Sequence, residues 1–167
     1  MKAQILGVAT CLFAAATLGA QGAGAGVPRA DNSSPRQQEG PISYTVDMKA
    51  GMETPPNDGN ASGHAKFTVG EHKLRYEIDV SGLSGPATMA HIHIGKLGMA
   101  GPPIVTFPVK ASASGQIGEG TIDLTAAMNK GVSADSLMVL LNNGGAYVNV
   151  HTAAHKGGEI RGQIVRN

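Results

Sequence analysis

The chain has 167 residues, of which 24 are glycine, 15% are charged and 4% are aromatic. This length suits one domain rather than two, and an apolar fraction of 41% argues against a wholly disordered chain. The formal net charge is +1 and no stretch concentrates lysine or arginine, so we expect no nucleic-acid partner, since phosphate neutralisation needs a concentrated positive surface.

The first 25 residues have the pattern of a signal peptide. Lys2 gives a positive start, residues 5–20 are almost entirely apolar or small, and Ala23-Gly24-Ala25 matches a small-residue cleavage motif. The apolar run is too short and too rich in alanine and glycine for a convincing membrane span. We therefore expect residues 1–25 to be removed, leaving a periplasmic or secreted protein with no membrane span. An uncleaved anchor is the alternative.

The single cysteine, Cys11, lies inside this signal, so the exported part contains no thiol. Disulfides and cysteine-based zinc sites are then excluded, and a bound metal needs His, Asp, Glu, Met or backbone oxygen as ligands. Residues 26–40 are polar, rich in Pro, Gly and Ser, and without periodicity, which predicts a flexible linker. The folded domain is expected to occupy residues 41–167.

From residue 41 onward, apolar residues recur mostly at every second position, which is typical of β-strands. In the clearest run, residues 73–80, apolar side chains alternate strictly with charged ones. Weaker alternation predicts further strands, separated by clusters of Gly, Pro, Asn and Ser, at residues 42–48, 64–69, 89–94, 104–109, 117–124, 146–152 and 159–165.

Two stretches between the last predicted strands have a different pattern. Ser133 is a suitable N-cap, an acidic first turn follows it, and glycines come after residue 143, which together predict a short helix. Residues 125–130, closed by Gly131, predict another helical turn. About eight strands with one or two short helical insertions predict an all-β fold, an antiparallel β-sandwich or barrel.

Histidines are concentrated in two of the predicted strands. His91 and His93 are two residues apart, so they share a strand face with about 7 Å between their backbone positions, while the intervening isoleucine faces the core. By the same alternation, His151 lies on the face of its strand opposite the valines. The three imidazoles can meet at one ion only if the two strands are neighbours in the sheet.

Two or three imidazoles without a thiolate suit Cu(II), Zn(II) or Ni(II). We therefore expect a transition-metal site, copper more than zinc, with His91, His93 and His151 as ligands. Met89 lies on the same strand face and offers a soft ligand for Cu(I), and His155 in an expected loop is the other weaker candidate.

The alternative is that His91 and His93 only hydrogen-bond loop carbonyls and anchor the loop at residues 95–103. Arg161 also has two interpretations. It either steers an anion or orients a carboxylate, or it pairs with Glu159 or with an acid on a neighbouring strand, and the structural pairing is favoured. No hydrolase, phosphate-binding or dinucleotide-binding motif is present, so no catalytic residue is predicted.

Two blocks of sequence resemble the CHRD domain, a module first described in chordin that also occurs singly in exported bacterial proteins. The first block contains Leu83-Ser84-Gly85, Ala90-His91-Ile92-His93-Ile94-Gly95, Gly98 and Gly101-Pro102-Pro103-Ile104-Val105, and the second contains Gly145-Ala146-Tyr147-Val148-Asn149-Val150-His151-Thr152 and Gly157-Gly158-Glu159-Ile160-Arg161-Gly162-Gln163-Ile164. The resemblance covers about residues 41–167 and implies an immunoglobulin-like β-sandwich or barrel. Bacterial members mostly lack an assigned activity. The family often has a proline where this chain has His155-Lys156, so His155 is particular to this chain.

The layout is also similar to copper–zinc superoxide dismutase, which has a His-x-His strand, a later histidine strand and a near-terminal arginine. Counterparts of its bridging and zinc-side histidines and of its disulfide are lacking. We expect an exported, non-enzymatic binding protein whose partner is a metal ion or another exported protein. The alternatives are a structural or protein-interaction module without metal, and a copper-dependent redox enzyme in which Arg161 guides superoxide.

Overall fold

A computed structural model describes residues 40–126 and 132–166. All eight predicted strands are present: β1 Ile42–Lys49, β2 Ser62–Gly70, β3 Lys73–Ser81, β4 Ala87–Ile94, β5 Pro103–Phe107, β6 Gly115–Asp123, β7 Ala146–Thr152 and β8 Ile160–Gln163. The predicted signal peptide, the linker apart from Gly40, and most of the predicted turn at 125–130 lie outside the described residues.

One helix was predicted correctly. Helix α1, Ala134–Asn142, begins after Ser133, whose side chain accepts a hydrogen bond from the Ser136 backbone N–H. A short 3-10 helix at Ala50–Met52, which sequence analysis did not predict, follows β1. None of the helices in the described ranges has the length and apolar character needed to cross a membrane.

The strands form one antiparallel sheet in the order β5-β4-β7-β8-β1-β2-β3-β6. The two ends of this sheet approach each other. The Lys110 backbone N–H, just beyond β5, donates to the Ile117 carbonyl in β6 at 2.6 Å, and the Tyr76 hydroxyl in β3 donates to the Pro108 carbonyl at 3.4 Å. The sheet is therefore nearly closed, which protects its edge strands. The predicted all-β, antiparallel fold is confirmed.

The core lies inside the curved sheet. Along β3 the apolar residues Leu74, Tyr76 and Ile78 are buried, while the charged residues between them are more exposed. The ring of Phe107 lies 4.7 Å from that of Tyr76 and 5.6 Å from that of Phe67, so aromatic side chains from three strands meet there.

Strand β7 differs from the others because all seven of its residues are buried. Its apolar side chains face the core, and the opposite face, which carries His151, lies beneath the loops at 95–102 and 153–158. The Gly101 N–H donates to the Tyr147 hydroxyl at 3.3 Å, and Nδ1 of His151 donates to the Lys156 carbonyl at 3.0 Å. The histidine face is thus directed away from the core, as predicted, but it lies beneath loops. This burial sets the chemistry of the site.

Candidate metal centre

Strands β4 and β7 are direct antiparallel neighbours, which is the condition on which convergence of the histidines depends. Their register pairs Met89 with His151 and His91 with Asn149. Paired residues in adjacent antiparallel strands point to the same face of the sheet. His91, His93 and His151 therefore share one face, on two strands that are hydrogen-bonded to each other.

The three histidines form a compact cluster. One ligand nitrogen from each ring can be chosen so that all three lie within 4.8 Å of one another, and the described part of the chain contains no second such group of His, Cys, Asp or Glu. The ring centroids of His91 and His151 are 4.9 Å apart, and those of His91 and His93 are 5.4 Å apart. The exposed fractions of the residues are 9%, 8% and 5% for His91, His93 and His151.

Hydrogen bonds set the tautomers of these rings. Nδ1 of His93 lies 2.8 Å from the Gly101 carbonyl, and Nδ1 of His151 lies 3.0 Å from the Lys156 carbonyl. A carbonyl only accepts, so both Nδ1 atoms carry hydrogen and both Nε2 atoms of the neutral rings carry a lone pair. Nδ1 of His91 then donates to Nε2 of His151 at 3.0 Å. Metal-binding histidines are commonly oriented by such Nδ1–H···O=C bonds.

Burial keeps the cluster neutral. Burial, followed by the nearby His151 and His93, lowers the pKa of His91 from 6.5 to about 4. Burial also lowers the pKa values of His93 and His151, although hydrogen bonds to carbonyls partly oppose it. Imidazole binds metals in its neutral form, so these shifts keep the rings ready to bind near pH 7.

One atom of the cluster has a free lone pair that a cation could accept. Nε2 of His93 is buried and has no hydrogen-bond partner among the described residues. Since its Nδ1 holds the proton, this Nε2 is an unsatisfied acceptor, and such a group costs about 1–3 kcal/mol when buried. A metal ion bound there would satisfy the lone pair.

The weaker candidates lie at the border of the cluster. Met89 is paired with His151 in the register and is 45% exposed, so its thioether lies on the solvent side. His155 is in the loop after β7, its backbone N–H donates to Thr152, and it is not one of the three clustered histidines.

Arg161 holds the loop that covers the site. Its Nη2 donates to the carbonyls of Lys96 and Met99 at 3.0 and 2.9 Å, and its Cζ lies 3.4 Å from the centroid of the Tyr147 ring. The same loop supplies Gly101, whose carbonyl orients His93. Arg161 is only 1% exposed, so it is inaccessible to an anion in solution.

Among the described residues, Arg161 forms no ion pair with Glu159 or with an acid on a neighbouring strand, so the predicted pairing is wrong. Glu159 instead accepts hydrogen bonds from the Ser84 N–H at 2.6 Å, the Ser84 hydroxyl at 2.7 Å and the Thr152 hydroxyl. Arg161 is turned under the loop at 95–102, where carbonyl oxygens are available. The sequence pattern placed both residues on one face but contained no information on the loop that covers it.

Sequence reasoning missed two polar residues beside the cluster. Asn149 is 1% exposed and Glu53 is 7% exposed. A single asparagine among the apolar residues of Ala146–Thr152 is a usable signal, since a buried amide needs partners. Glu53 follows the unpredicted 3-10 helix and has no comparable signal in the sequence.

Comparison with protein families gives a match to the CHRD domain over residues 44–164. Neither a curated protein nor a solved structure gave a significant match. The matched region contains all three clustered histidines and all eight strands, except for the first two residues of β1.

Proposed function

The chain belongs to the CHRD domain family, and from this membership and the cluster geometry we propose that it is an exported, non-enzymatic binding module that holds one transition-metal ion. The ligands are His91, His93 and His151, and copper is favoured over zinc. Export rests on the signal-like pattern of residues 1–25.

One observation carries the proposal: three neutral, buried imidazoles present ligand nitrogens within 4.8 Å of one another. In a tetrahedral site with bonds of about 2.0–2.1 Å, ligand atoms lie about 3.3 Å apart. The nearest nitrogens of His91 and His151 are already 3.0 Å apart. The 4.8 Å spread of the three ligand nitrogens therefore has to close by about 1.5 Å to reach this geometry.

The residues of the chain have separate tasks in binding. The Gly101 and Lys156 carbonyls keep His93 and His151 in the tautomer whose Nε2 is available to a metal. If His91 binds through Nδ1, the hydrogen on that atom moves to Nε2 of the same ring, so no net charge is lost. An all-nitrogen set without thiolate follows the general affinity order in which Cu(II) exceeds Zn(II).

Calorimetric titration of metal-free protein with Cu(II) and with Zn(II) tests the proposal. We expect one ion per chain, and His91→Ala and His151→Ala each weaken binding by at least about tenfold. His64→Ala is the matched control, because His64 is an exposed histidine that bonds Asp47 rather than the cluster. Undiminished binding in both cluster variants would contradict a shared site.

A second candidate function is a protein-interaction module whose histidines only brace loops. The hydrogen bonds of His93 to Gly101 and of His151 to Lys156 favour it. Thermal unfolding distinguishes the two, since metal at about 100 times its Kd stabilises a folded-state site by about 2.7 kcal/mol. An unchanged melting temperature with saturating Cu(II) and Zn(II) would favour bracing alone.

The superoxide dismutase-like alternative needs an accessible arginine to guide the anion. Arg161 is buried beneath the loop at 95–102 and donates to its carbonyls. The burial of Arg161 therefore argues against the superoxide dismutase-like alternative.

A further inference from the structure

We propose that Asn149 is a fourth ligand of the same site, binding the metal ion through its side-chain oxygen Oδ1, and that Glu53 is the positioning residue that orients its amide. This inference rests on the proposed function and extends it to a donor set of three nitrogens and one oxygen.

The first support is the position and burial of Asn149. It lies opposite His91 in the pairing of β4 with β7, between Tyr147 and His151 along the strand, and alternation places it on the histidine face. Asn149 is 1% exposed, and its Oδ1 is buried without a hydrogen-bond partner among the described residues.

The second support is a pair of acceptors with no donor. Oδ1 of Asn149 and Nε2 of His93 are both buried and both unsatisfied, and the Asn149 side chain interacts with the His93 ring. Each unsatisfied acceptor costs about 1–3 kcal/mol. Two neighbouring lone-pair donors in a buried space are what a cation requires of its ligands.

The third support is the orientation of the carboxamide. Nδ2 of Asn149 and Oε1 of the Glu53 carboxylate both lie against Gly158, so the amide faces the carboxylate. Burial raises the pKa of Glu53, and the facing Asn149 amide opposes this effect. A carboxylate only accepts, so Nδ2 is the atom that faces it, and Oδ1 is therefore left for the histidine side. Gly158 permits this approach, because a side chain there would overlap both groups.

The donor set narrows the class of metal. Three imidazoles and an amide oxygen suit a borderline divalent ion, Cu(II) or Zn(II), whereas Cu(I) prefers sulfur ligands. Met89 is the sulfur nearest in register to His151, and it lies on the exposed side rather than in the buried space with Asn149. We therefore expect the site to prefer divalent ions over Cu(I).

Cobalt(II) absorption of the full chain tests the inference, since the visible bands of this ion report its coordination geometry. The wild type is expected to show the strong bands of four-coordinate Co(II). Asn149→Ala is expected to weaken Co(II) binding by at least about tenfold and to shift the bands, because a water molecule replaces the amide oxygen as ligand. Asn142→Ala is the matched control. It also removes a side-chain amide, but that amide accepts a hydrogen bond from the Tyr44 hydroxyl and is not part of the histidine cluster.

A second variant keeps the test decisive if Asn149→Ala does not fold. Asn149→Asp combined with Glu53→Gln preserves the oxygen donor, the partner amide and the total charge. This double variant is expected to retain the wild-type bands and an affinity at least equal to that of the wild type.

The outcomes separate the two proposals. If the wild type binds Co(II) through its histidines and Asn149→Ala has unchanged bands and affinity, Asn149 is not a ligand and the three-histidine proposal stands. Loss of the bands in the double variant also overturns the role of Asn149. If the wild type binds no Co(II), Cu(II) or Zn(II), the proposed function fails, and the fourth ligand fails with it.

Discussion

Replacing Arg161 with methionine tests whether the loop at 95–102 keeps the cluster in its binding geometry. The substitution keeps much of the side-chain volume but removes the charge and all donors. Arg161 gives two hydrogen bonds to the carbonyls of Lys96 and Met99, a third to the Thr54 hydroxyl at 3.2 Å, and a cation–π contact with Tyr147.

The magnitude follows from these contacts. A hydrogen bond to a charged group contributes about 1.5–3 kcal/mol, so three give an upper bound of about 4.5–9 kcal/mol. In the variant the loop can move outward and its carbonyls can bond water, so the loss stays below this upper bound. We expect about 3 kcal/mol.

Urea unfolding and calorimetry measure the two expected effects. Arg161→Met should lower the free energy of unfolding by about 3 kcal/mol. It should also weaken metal binding by about 10- to 100-fold, because the Gly101 carbonyl that orients His93 becomes mobile with the loop. Arg75→Met is the control: Arg75 is exposed, its only ion-pair contact in the described residues is Glu77 at 3.8 Å, and we expect a change below about 0.5 kcal/mol. Reduced stability with unchanged metal affinity would refute the link between loop and site.

Two further predictions concern pH and a glycine. The pKa of His91 in the folded chain is lowered from 6.5 to about 4, so below pH 6.5 the unfolded chain takes up a proton that the folded chain does not. The free energy of unfolding of metal-free protein should therefore fall as the pH drops from about 6.5 towards 4. Burial raises the pKa of Glu53, which acts in the opposite direction, so the comparison is with His91→Phe. An identical pH dependence in that variant would exclude the role of His91. Gly158→Ala should cost about 2 kcal/mol and weaken metal binding, because φ is +130° and the new methyl group would overlap Glu53 and Asn149. Gly157→Ala has open space around the added atom and is the control; equal effects of the two substitutions in urea unfolding would contradict this reasoning.

The strands could be predicted because each has one apolar face. In β3, apolar residues alternate with charged residues, so only one face of the strand can be buried. The structure contains this strand from Lys73 to Ser81, and its apolar residues are the buried ones. The 3-10 helix at Ala50–Met52 was not predictable in this way, since it has no cap and only one buried residue.

For the site, the sequence predicted which strand face each histidine lies on, but it did not predict the contacts made by the surrounding loops. Alternation placed His91, His93 and His151 on one side, and the neighbouring position of β4 and β7 then brought them together. The prediction of the partner of Arg161 was wrong, because the observed partners are carbonyls of the loop at 95–102, which comes from a distant part of the sequence. Glu53 likewise reaches Asn149 from outside the two strands, and local periodicity carries no information on such long-range contacts.

An anomalous difference map from crystals grown with Zn(II) tests the central claim most directly, with data collected above and below the zinc absorption edge. We predict one strong peak per chain, about 2.0–2.1 Å from Nε2 of His93 and from Nε2 of His151. Crystals grown with Zn(II) and with Cu(II) that show no anomalous peak among these rings would contradict the account.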